Sequence, residues 1–323
     1  MCKITVAIPV YNCEKTLKRC LDSVINQTFL DYEILIINDG CPDNSEEICL
    51  QYKEKYERIK YVRRENGGLA QVRNMALDKA KGKYLCFVDS DDYIDEKMCE
   101  MLVNAIENVD MAMCGMRIWR NGVVLREPHL DNGIYTIKDN IDNYFQLRKI
   151  NLGPCNKLYR KELIKNNFID NVSLGEDTIF VLDYMGNVEK ISNISECLYN
   201  VVLDNNSSLN RNKPDGYVDL LIEQRKKEEH FLTEMYGTDC DMTQMYNQYL
   251  LNMHAYFNQS PLTTKMISTY TDDEFLISKI RKANPQRFDY KLFKNLFINK
   301  NVIALRLFFY IKDLIYGMKY EKK

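Results

Sequence analysis

Residues 4–38, ITVAIPVYNCEKTLKRCLDSVINQTFLDYEILIIN, decide the fold class of this chain. Ile4–Val10 is a short apolar run rich in β-branched residues, and it predicts a buried strand. Apolar residues then recur at helical spacing within Glu14–Gln27, and Tyr32–Asn38 is a second strand-like run. A strand, a helix and a strand in this order predict a right-handed βαβ unit with parallel strands.

The same alternation continues to about residue 90. Asp43 and Glu46 form a capping-box pattern, which predicts a helix that ends near Tyr56. The later elements are a strand, a helix and a strand, at Ile59–Arg63, Leu69–Ala80 and Tyr84–Val88. We therefore predict an α/β fold, with a mostly parallel, Rossmann-like central sheet, helices on both of its faces, and a helical C-terminal region.

The chain is predicted to divide into three parts. Residues 204–216 read DNNSSLNRNKPDG, which is rich in turn-forming residues and typical of a linker. Beyond them the apolar periodicity is helical. We predict an α/β domain at 1–205, a linker at 206–216 and a helical region at 217–323.

Composition excludes several classes of protein. The 44 Lys and Arg residues against 46 Asp and Glu give a net charge of -2, so the chain is not predicted to bind nucleic acid. The sequence contains no run of about 18 apolar residues that would predict a transmembrane helix, and no signal peptide precedes the first strand. The 11 cysteines include no C-x-x-C pair, which favours reduced thiols and a cytoplasmic location.

Polar segments directly follow three of the predicted strands. They are Pro9-Val-Tyr-Asn12, Asn38-Asp-Gly40 and Asp89-Ser-Asp-Asp92. In open parallel sheets, ligands bind beyond the carboxyl ends of the strands. The clustered acids at 89–92 would repel one another unless a cation neutralised them, and a hard divalent cation shares such carboxylates with phosphates. Taken alone, a D-x-D pattern is more often a solvated turn than a metal site.

Motifs along residues 3–205 resemble the family 2 glycosyltransferases in order and spacing. The motifs are Ile4–Glu14, Ser23–Thr28, Glu33–Gly40, Asn66-Gly-Gly, Ala70-Gln-Val-Arg-Asn74, Ala80–Leu85, Phe87–Asp92, Asn156-Lys-Leu-Tyr159 and Gly175-Glu-Asp177. The resemblance implies the GT-A fold for residues 1–205 and a nucleotide-sugar donor, most often a UDP-sugar. Three departures are Asn38 for an acid, Val72 within the Ala-Arg-Asn motif, and Cys155 for a tryptophan.

The resemblance also assigns residue roles. Pro9, Val10 and Tyr11 would lie against the base, and Asp39 would accept a hydrogen bond from the uracil ring. Asp89 would contact the ribose side, and Asp91 would ligate Mn²⁺ or Mg²⁺ on the diphosphate. The rest of the predicted donor site is Asn66, Arg73, Ser90, Asn156 and Lys157.

The Gly175-Glu-Asp177 loop is the predicted source of the catalytic base. An acceptor hydroxyl is a poor nucleophile until a base takes its proton, and a carboxylate opposite the leaving group permits inversion. We favour Asp177 over Glu176 for this role. The alternative is that Asp177 is only a helix N-cap, because an acid is favoured at that position in any case.

The resulting prediction is a metal-dependent inverting glycosyltransferase, transferring a hexosyl or N-acetylhexosaminyl group. It would extend a surface glycan, such as a capsular or cell-wall polysaccharide, on a glycan or lipid-linked acceptor. The alternative is a non-catalytic relative that binds a nucleotide-sugar or glycan during polysaccharide assembly. A nucleotidyltransferase is disfavoured, because Pro9-Val-Tyr-Asn12 is not a glycine-rich, basic signature.

The end of the chain, residues 302–323, is predicted to be a basic amphipathic helix. On a helical wheel Arg306, Tyr310, Asp313 and Gly317 share one face. The other face is apolar and comprises Ala304, Leu307, Phe308, Ile311, Leu314 and Ile315. One hypothesis is a peripheral contact with the inner face of the cell membrane. The other is packing on the protein itself or on another subunit of a homo-oligomer.

Overall fold

This computed structural model describes residues 2–150, 153–170, 175–203, 217–259 and 262–320, and for residues 259 and 313–320 it describes the backbone only. The predicted linker at 206–216 lies outside the described residues. The chain divides into two compact units, Met1–Pro214 and Asp215–Lys323.

The first unit is built on one sheet, to which ten strands of the described residues belong. In chain order, β1 to β10 are Ile4–Val10, Tyr32–Asn38, Ile59–Arg63, Tyr84–Phe87, Tyr93–Ile94, Met111–Arg120, Val123–Arg126, Gly133–Thr136, Lys157–Arg160 and Lys190–Val202. Their order is β3-β2-β1-β4-β9-β6-β10-β5, while β7 pairs with β6 and β8 with β10. The first four strands are parallel, as are β6 and β10. The predicted α/β fold with a mostly parallel sheet is therefore confirmed.

Helices accompany these strands and make up most of the second unit. In the first unit, α1 to α6 are Leu17–Ile25, Ser45–Lys55, Leu69–Lys79, Met98–Ala105, Ile141–Ile150 and Glu176–Gly186. In the second unit, α7 to α12 are Tyr217–Tyr236, Thr243–Gln259, Thr264–Thr271, Glu274–Lys282, Phe288–Ile298 and Val302–Tyr320. The predicted helical C-terminal region is confirmed.

Strands β1 and β2 are interior strands of the sheet, and every residue in both is buried. Such near-continuous burial is expected where a parallel sheet is covered on both faces. Val10 pairs with Asn38 in the register of these two strands, so both strands end at the same level. The segments that follow them, and the one that follows β4, therefore meet at one edge of the sheet.

The starts of α1 and α2 differ from the predictions. Helix α1 begins at Leu17, three residues later than predicted, and the amide of Glu14 donates instead to Asp43 Oδ2 at 2.9 Å. The predicted capping box is wrong: the N-cap residue is Asn44, and Asp43 Oδ1 accepts from the amide of Ser45 at 3.2 Å rather than from that of Glu46. Glu46 instead accepts hydrogen bonds from Tyr61 on β3 at 2.9 Å and from Arg63 at 3.2 Å. A contact between α2 and β3 takes the place of the predicted local one.

The packed face of α12 also differs from the helical-wheel prediction. Leu305 and Phe309 are 0% and 2% exposed and form the buried face, whereas Leu307 and Ile311 remain 55% and 46% exposed. The wheel could not identify the packed face, because apolar residues occur around the whole helix. The side chains beyond Lys312, including the predicted basic end at Lys319, lie outside the described residues. Within the described chain, none of the helices combines the length and apolar character needed to span a bilayer.

Candidate active site

Asp39, directly after β2, organises a loop at the carboxyl edge of the sheet. Its side chain is almost fully buried and accepts hydrogen bonds from the amides of Gly67 and Gly68, at 3.0 and 2.9 Å. Arg64 Nε lies 3.3 Å from Asp39 Oδ1. Gly68 has φ +89°, a left-handed conformation that favours glycine. One carboxylate thus fixes the loop that carries the exposed side chain of Asn66.

Asn38, where the family usually has an acid, is satisfied by its surroundings. Its buried amide donates to the hydroxyl of Tyr61 at 2.8 Å and accepts from the amide of Cys41 at 2.9 Å. A carboxylate here could accept from Cys41 but could not donate to Tyr61, whose own hydroxyl proton is donated to Glu46. An asparagine at position 38 therefore suits these hydrogen-bond partners, and the next residue, Asp39, keeps its own contacts.

The loop after β1 supplies a partly exposed aromatic ring. Pro9 and Val10 are buried within the strand, whereas Tyr11 is 46% exposed. The next turn is held against the acidic cluster, since Thr16 Oγ1 donates to the carbonyl of Ser90 at 3.0 Å. Of the three predicted base-contacting residues, Tyr11 is thus the one with a large surface for a ligand.

The acidic cluster after β4 contains acids with different surroundings. Asp92 is 6% exposed and accepts from the amide of Val202 on β10 at 3.0 Å. Burial, followed by the charges of Asp91 and Asp89, raises its pKa well above the usual range. Asp89 and Asp91 are partly exposed. Asp92 is therefore part of the support of the cluster, and the two D-x-D acids are the ones open to a ligand.

Arg73 on α3 joins two of the predicted site acids. It is fully buried, and its Nη2 lies 2.9 Å from Asp89 Oδ1 while its Nη1 pairs with Asp177 Oδ1. Burial opposes its charge, but the carboxylates of Asp177 and Asp89 raise the pKa of Arg73 above its usual value. The guanidinium of Arg73 therefore joins Asp89 and Asp177, which lie 177 − 89 = 88 residues apart in the chain.

Asn74, the neighbour of Arg73, fixes the position of Phe168, whose ring lies beside the Arg73 guanidinium. Asn74 donates to the carbonyl of Phe168 at 2.8 Å and accepts from its amide at 2.7 Å. The Phe168 ring lies 5.5 Å from the Arg73 guanidinium and stacks on Phe180 of α6, with 3.9 Å between ring centroids. This role of Asn74 is not apparent from the sequence, because its partner lies 94 residues further along the chain.

Asp177 lies in the first turn of α6, but it is not the N-cap. That position belongs to Gly175, whose φ is +93°, and no side chain caps the helix. The interpretation of Asp177 as only a helix cap is therefore wrong, since its carboxylate pairs with Arg73. Burial raises the pKa of Asp177 to about 7, while Arg73 opposes this rise. A carboxylate that titrates near neutrality is suited to accept a proton.

Asn156 and Lys157 lie beneath the site and present almost no surface, with 0% and 1% exposure. Lys157 Nζ donates to the carbonyl of Gly153 at 2.8 Å and to Asn156 Oδ1 at 2.9 Å. Burial lowers the pKa of Lys157 to about 7. Their contacts in this structure support the segment around Cys155, which forms an isolated bridge with Phe87 at the end of β4.

The donor set fits a divalent cation that a substrate helps to hold. Among the described residues, no group of three His, Cys, Asp or Glu side chains could form a metal site by itself. Mg²⁺ usually keeps several waters and is bound by one or two carboxylates together with substrate phosphates. Asp91 is a partly exposed carboxylate beside Asp89, whose charge is shared with Arg73. The predicted single protein ligand, Asp91, is compatible with this kind of site.

Two curated proteins are similar to about three fifths of this chain. The glycosyltransferase GlyA of Streptococcus pneumoniae serotype 4 is 34% identical over 208 residues, which are 61% of this chain and 30% of GlyA. The poly(ribitol-phosphate) beta-glucosyltransferase of Bacillus spizizenii is 36% identical over 203 residues, which are 59% of this chain and 30% of that protein. This chain thus spans about a third of each of these relatives.

The fold is similar to a solved structure, that of S. aureus TarS 1-349 in complex with UDP-GlcNAc. The TM-score is 0.70 at 21% sequence identity, over 98% of this chain and 92% of that chain. The model of the family described as "Glycosyl transferase family 2" matches residues 5–168, about half of this chain. That range contains the strands and the loops from which most of the site is built, and the chain is therefore a member of glycosyl transferase family 2.

Proposed function

We propose that this protein is an inverting glycosyltransferase that moves a sugar from a UDP-sugar to a hydroxyl of a glycan or lipid-linked acceptor. The observation that carries the proposal is the Arg73 bridge, which places the acid predicted to contact the donor, Asp89, beside the predicted base, Asp177. The proposed donor contact and the proposed base thus lie in one site at the carboxyl edge of the sheet, as a transfer reaction requires.

The proposed reaction is a single displacement. Asp177 accepts the proton of the acceptor hydroxyl as its oxygen attacks the anomeric carbon. The new carbon–oxygen bond forms on the side opposite the diphosphate, and the bond to the diphosphate breaks with its electron pair leaving on UDP. Attack from the opposite side inverts the anomeric configuration. A Mn²⁺ or Mg²⁺ ion bound by Asp91 and the diphosphate would neutralise charge on the leaving group.

The similar proteins support the donor and the biological setting of this proposal. Two of the TarS structures are complexes, one with UDP-GlcNAc and one with UDP. The curated relatives include a poly(ribitol-phosphate) beta-glucosyltransferase and a minor teichoic acid biosynthesis protein, which is 30% identical over 201 residues. We therefore propose a role in the synthesis of a surface polysaccharide or teichoic acid.

UDP release provides the direct test of this function. The full chain is incubated with a panel of UDP-sugars and Mn²⁺, first alone and then with candidate acceptors, and the UDP formed is measured. We expect slow UDP release from at least one donor, and a transfer product whose anomeric configuration is opposite to that of the donor. Donor binding in a thermal-shift assay without any UDP release, across the panel, would favour the non-catalytic alternative.

The pH dependence of the reaction should follow the ionisation of Asp177. Its pKa is raised to about 7, and only the ionised form can accept a proton. We therefore expect kcat/KM to be level above pH 7 and to fall about tenfold for each pH unit below it, because kcat/KM reports on groups of the free enzyme. Rate measurements from acid to mildly alkaline pH test this. A profile without an acid limb would contradict the assignment.

Arg73→Lys should impair catalysis although it keeps the positive charge. A lysine ammonium is a point charge and cannot place two fixed N–H donors on Asp89 and Asp177 at once. We expect kcat to fall by about a hundredfold, a loss typical of a misplaced catalytic group. The control is Arg63→Lys, since Arg63 is largely exposed and lies in a surface ion pair with Glu46. Equal kcat values for the two variants would contradict this positioning role.

A further inference from the structure

Up to Lys312, where its side chains are described, helix α12 has one packed apolar face and one exposed apolar face. Leu305 and Phe309 lie in the core of the second unit, and the Phe309 ring lies 5.7 Å from that of Phe293 on α11. The opposite side carries four exposed side chains, which we call the outer face of α12. They are Ile303, Leu307, Tyr310 and Ile311, with exposures of 83%, 55%, 63% and 46%.

The outer face has the spacing of a continuous stripe. Its members lie at positions i, i+4, i+7 and i+8, which coincide on one side of an α-helix. Two more large apolar side chains, Phe288 and Leu292, are exposed on the neighbouring helix α11. Single exposed apolar residues are ordinary, but a contiguous set on one helix face marks an interaction surface.

The net charge of residues 287–323 favours one of two possible partners of the outer face, an anionic lipid surface, over a second copy of the chain. Residues 287–323 contain nine Lys and Arg and three Asp and Glu, so their net charge is 9 − 3 = +6. In a two-fold symmetric dimer, the same patch meets itself. Asp272 and Glu274, outside this segment, pair with Lys300 and offset part of the charge. A dimer of that kind would bring the remaining positive charge of two copies together, which opposes self-association. An anionic lipid surface instead offers an apolar layer beneath negative charge, and so complements both properties.

We propose that the outer face of α12 docks onto an anionic membrane surface, with the helix lying in the plane of the interface. Ile303, Leu307 and Ile311 enter the boundary between headgroups and acyl chains, and Tyr310 lies at the level of the headgroups. Arg306, which is exposed on the same helix, contacts lipid phosphates. This docking rests on the helix and its charge, and it is independent of the proposed glycosyl transfer.

Vesicle co-sedimentation of the full chain tests the proposal. The vesicles are equimolar phosphatidylglycerol and phosphatidylcholine, compared with phosphatidylcholine alone, at low and high salt. We expect sedimentation with the anionic vesicles, and at least tenfold weaker binding to neutral vesicles or at high salt, because salt screens exposed charges. Equal binding to both kinds of vesicle, or no binding to either, would overturn the proposal.

Two matched double variants assign the binding to the outer face. Leu307→Asn with Ile311→Asn should weaken binding to anionic vesicles at least tenfold. Leu30→Asn with Leu50→Asn should leave it unchanged, since these leucines are 73% and 39% exposed on the first unit. Because all four side chains are exposed, both variants should keep the wild-type melting temperature. Equal effects of the two double variants on vesicle binding would contradict membrane docking. It would also be contradicted if light scattering showed that the wild-type protein is a dimer and that Leu307→Asn with Ile311→Asn is a monomer.

Discussion

Asp177→Asn is expected to lower kcat by about two to four orders of magnitude, the usual contribution of a positioned general base. The asparagine side chain has the same shape but cannot take a proton from the acceptor. Its carbonyl oxygen can still accept a hydrogen bond from Arg73, so the bridge to Asp89 is weakened rather than removed. Donor affinity should therefore change little, and steady-state kinetics together with calorimetry of UDP binding measure the two effects separately.

The matched control for this experiment is Glu176→Gln. Glu176 occupies the same first turn of α6 and is partly exposed, but it is Asp177 that pairs with Arg73. We expect the control to retain most of its activity. If Glu176→Gln loses activity and Asp177→Asn does not, the base is Glu176, which the sequence analysis ranked second. Melting temperatures of both variants exclude a loss of folding as the cause.

The part of the site that can be predicted from sequence lies directly after predicted strands. Asp39, Asp89 and Asp91 each follow a buried apolar run, and parallel strands present their carboxyl ends at one edge of the sheet. The fold was predictable for the same reason, because apolar periodicity distinguishes strands from helices within short windows. The pattern thus predicts positions at the edge, although it does not predict the contacts made there.

The contacts that sequence reasoning missed join residues distant in the chain. Arg73 is predicted to lie near the nucleotide, but the motif does not reveal that it is buried and pairs with Asp177, which lies 104 residues away. Asn156 and Lys157 stay predictions for the donor site, and their burial is likewise not apparent from the motif. A motif shows which residues belong to a site, but residues that bind a ligand and residues that hold others in place give the same sequence signal. The contacts inside the protein follow from the packing of α3, α6 and β9.

Asp91→Ala is expected to reduce transfer by about three orders of magnitude. Charge stabilisation by a bound divalent ion contributes several kcal/mol to such reactions, and about 4 kcal/mol corresponds to a factor of about 10³. The turn itself should survive, because main-chain bonds hold it. Arg19 Nη2 donates to the carbonyl of Asp91 at 2.6 Å, and the amide of Asp92 donates to the carbonyl of Asp89 at 3.0 Å.

Calorimetry of UDP with and without Mn²⁺ separates this role from a general loss of activity. In the wild-type protein Mn²⁺ should strengthen UDP binding, since the ion would be shared between Asp91 and the diphosphate. In Asp91→Ala that strengthening should disappear. Metal-free UDP binding should persist, because we expect it to depend on the loops at Tyr11 and Asp39. Glu96→Ala removes an exposed acid five residues further along and serves as the control. If Mn²⁺ strengthens UDP binding equally in both variants, Asp91 is not the metal ligand, and the loss of transfer must have another cause.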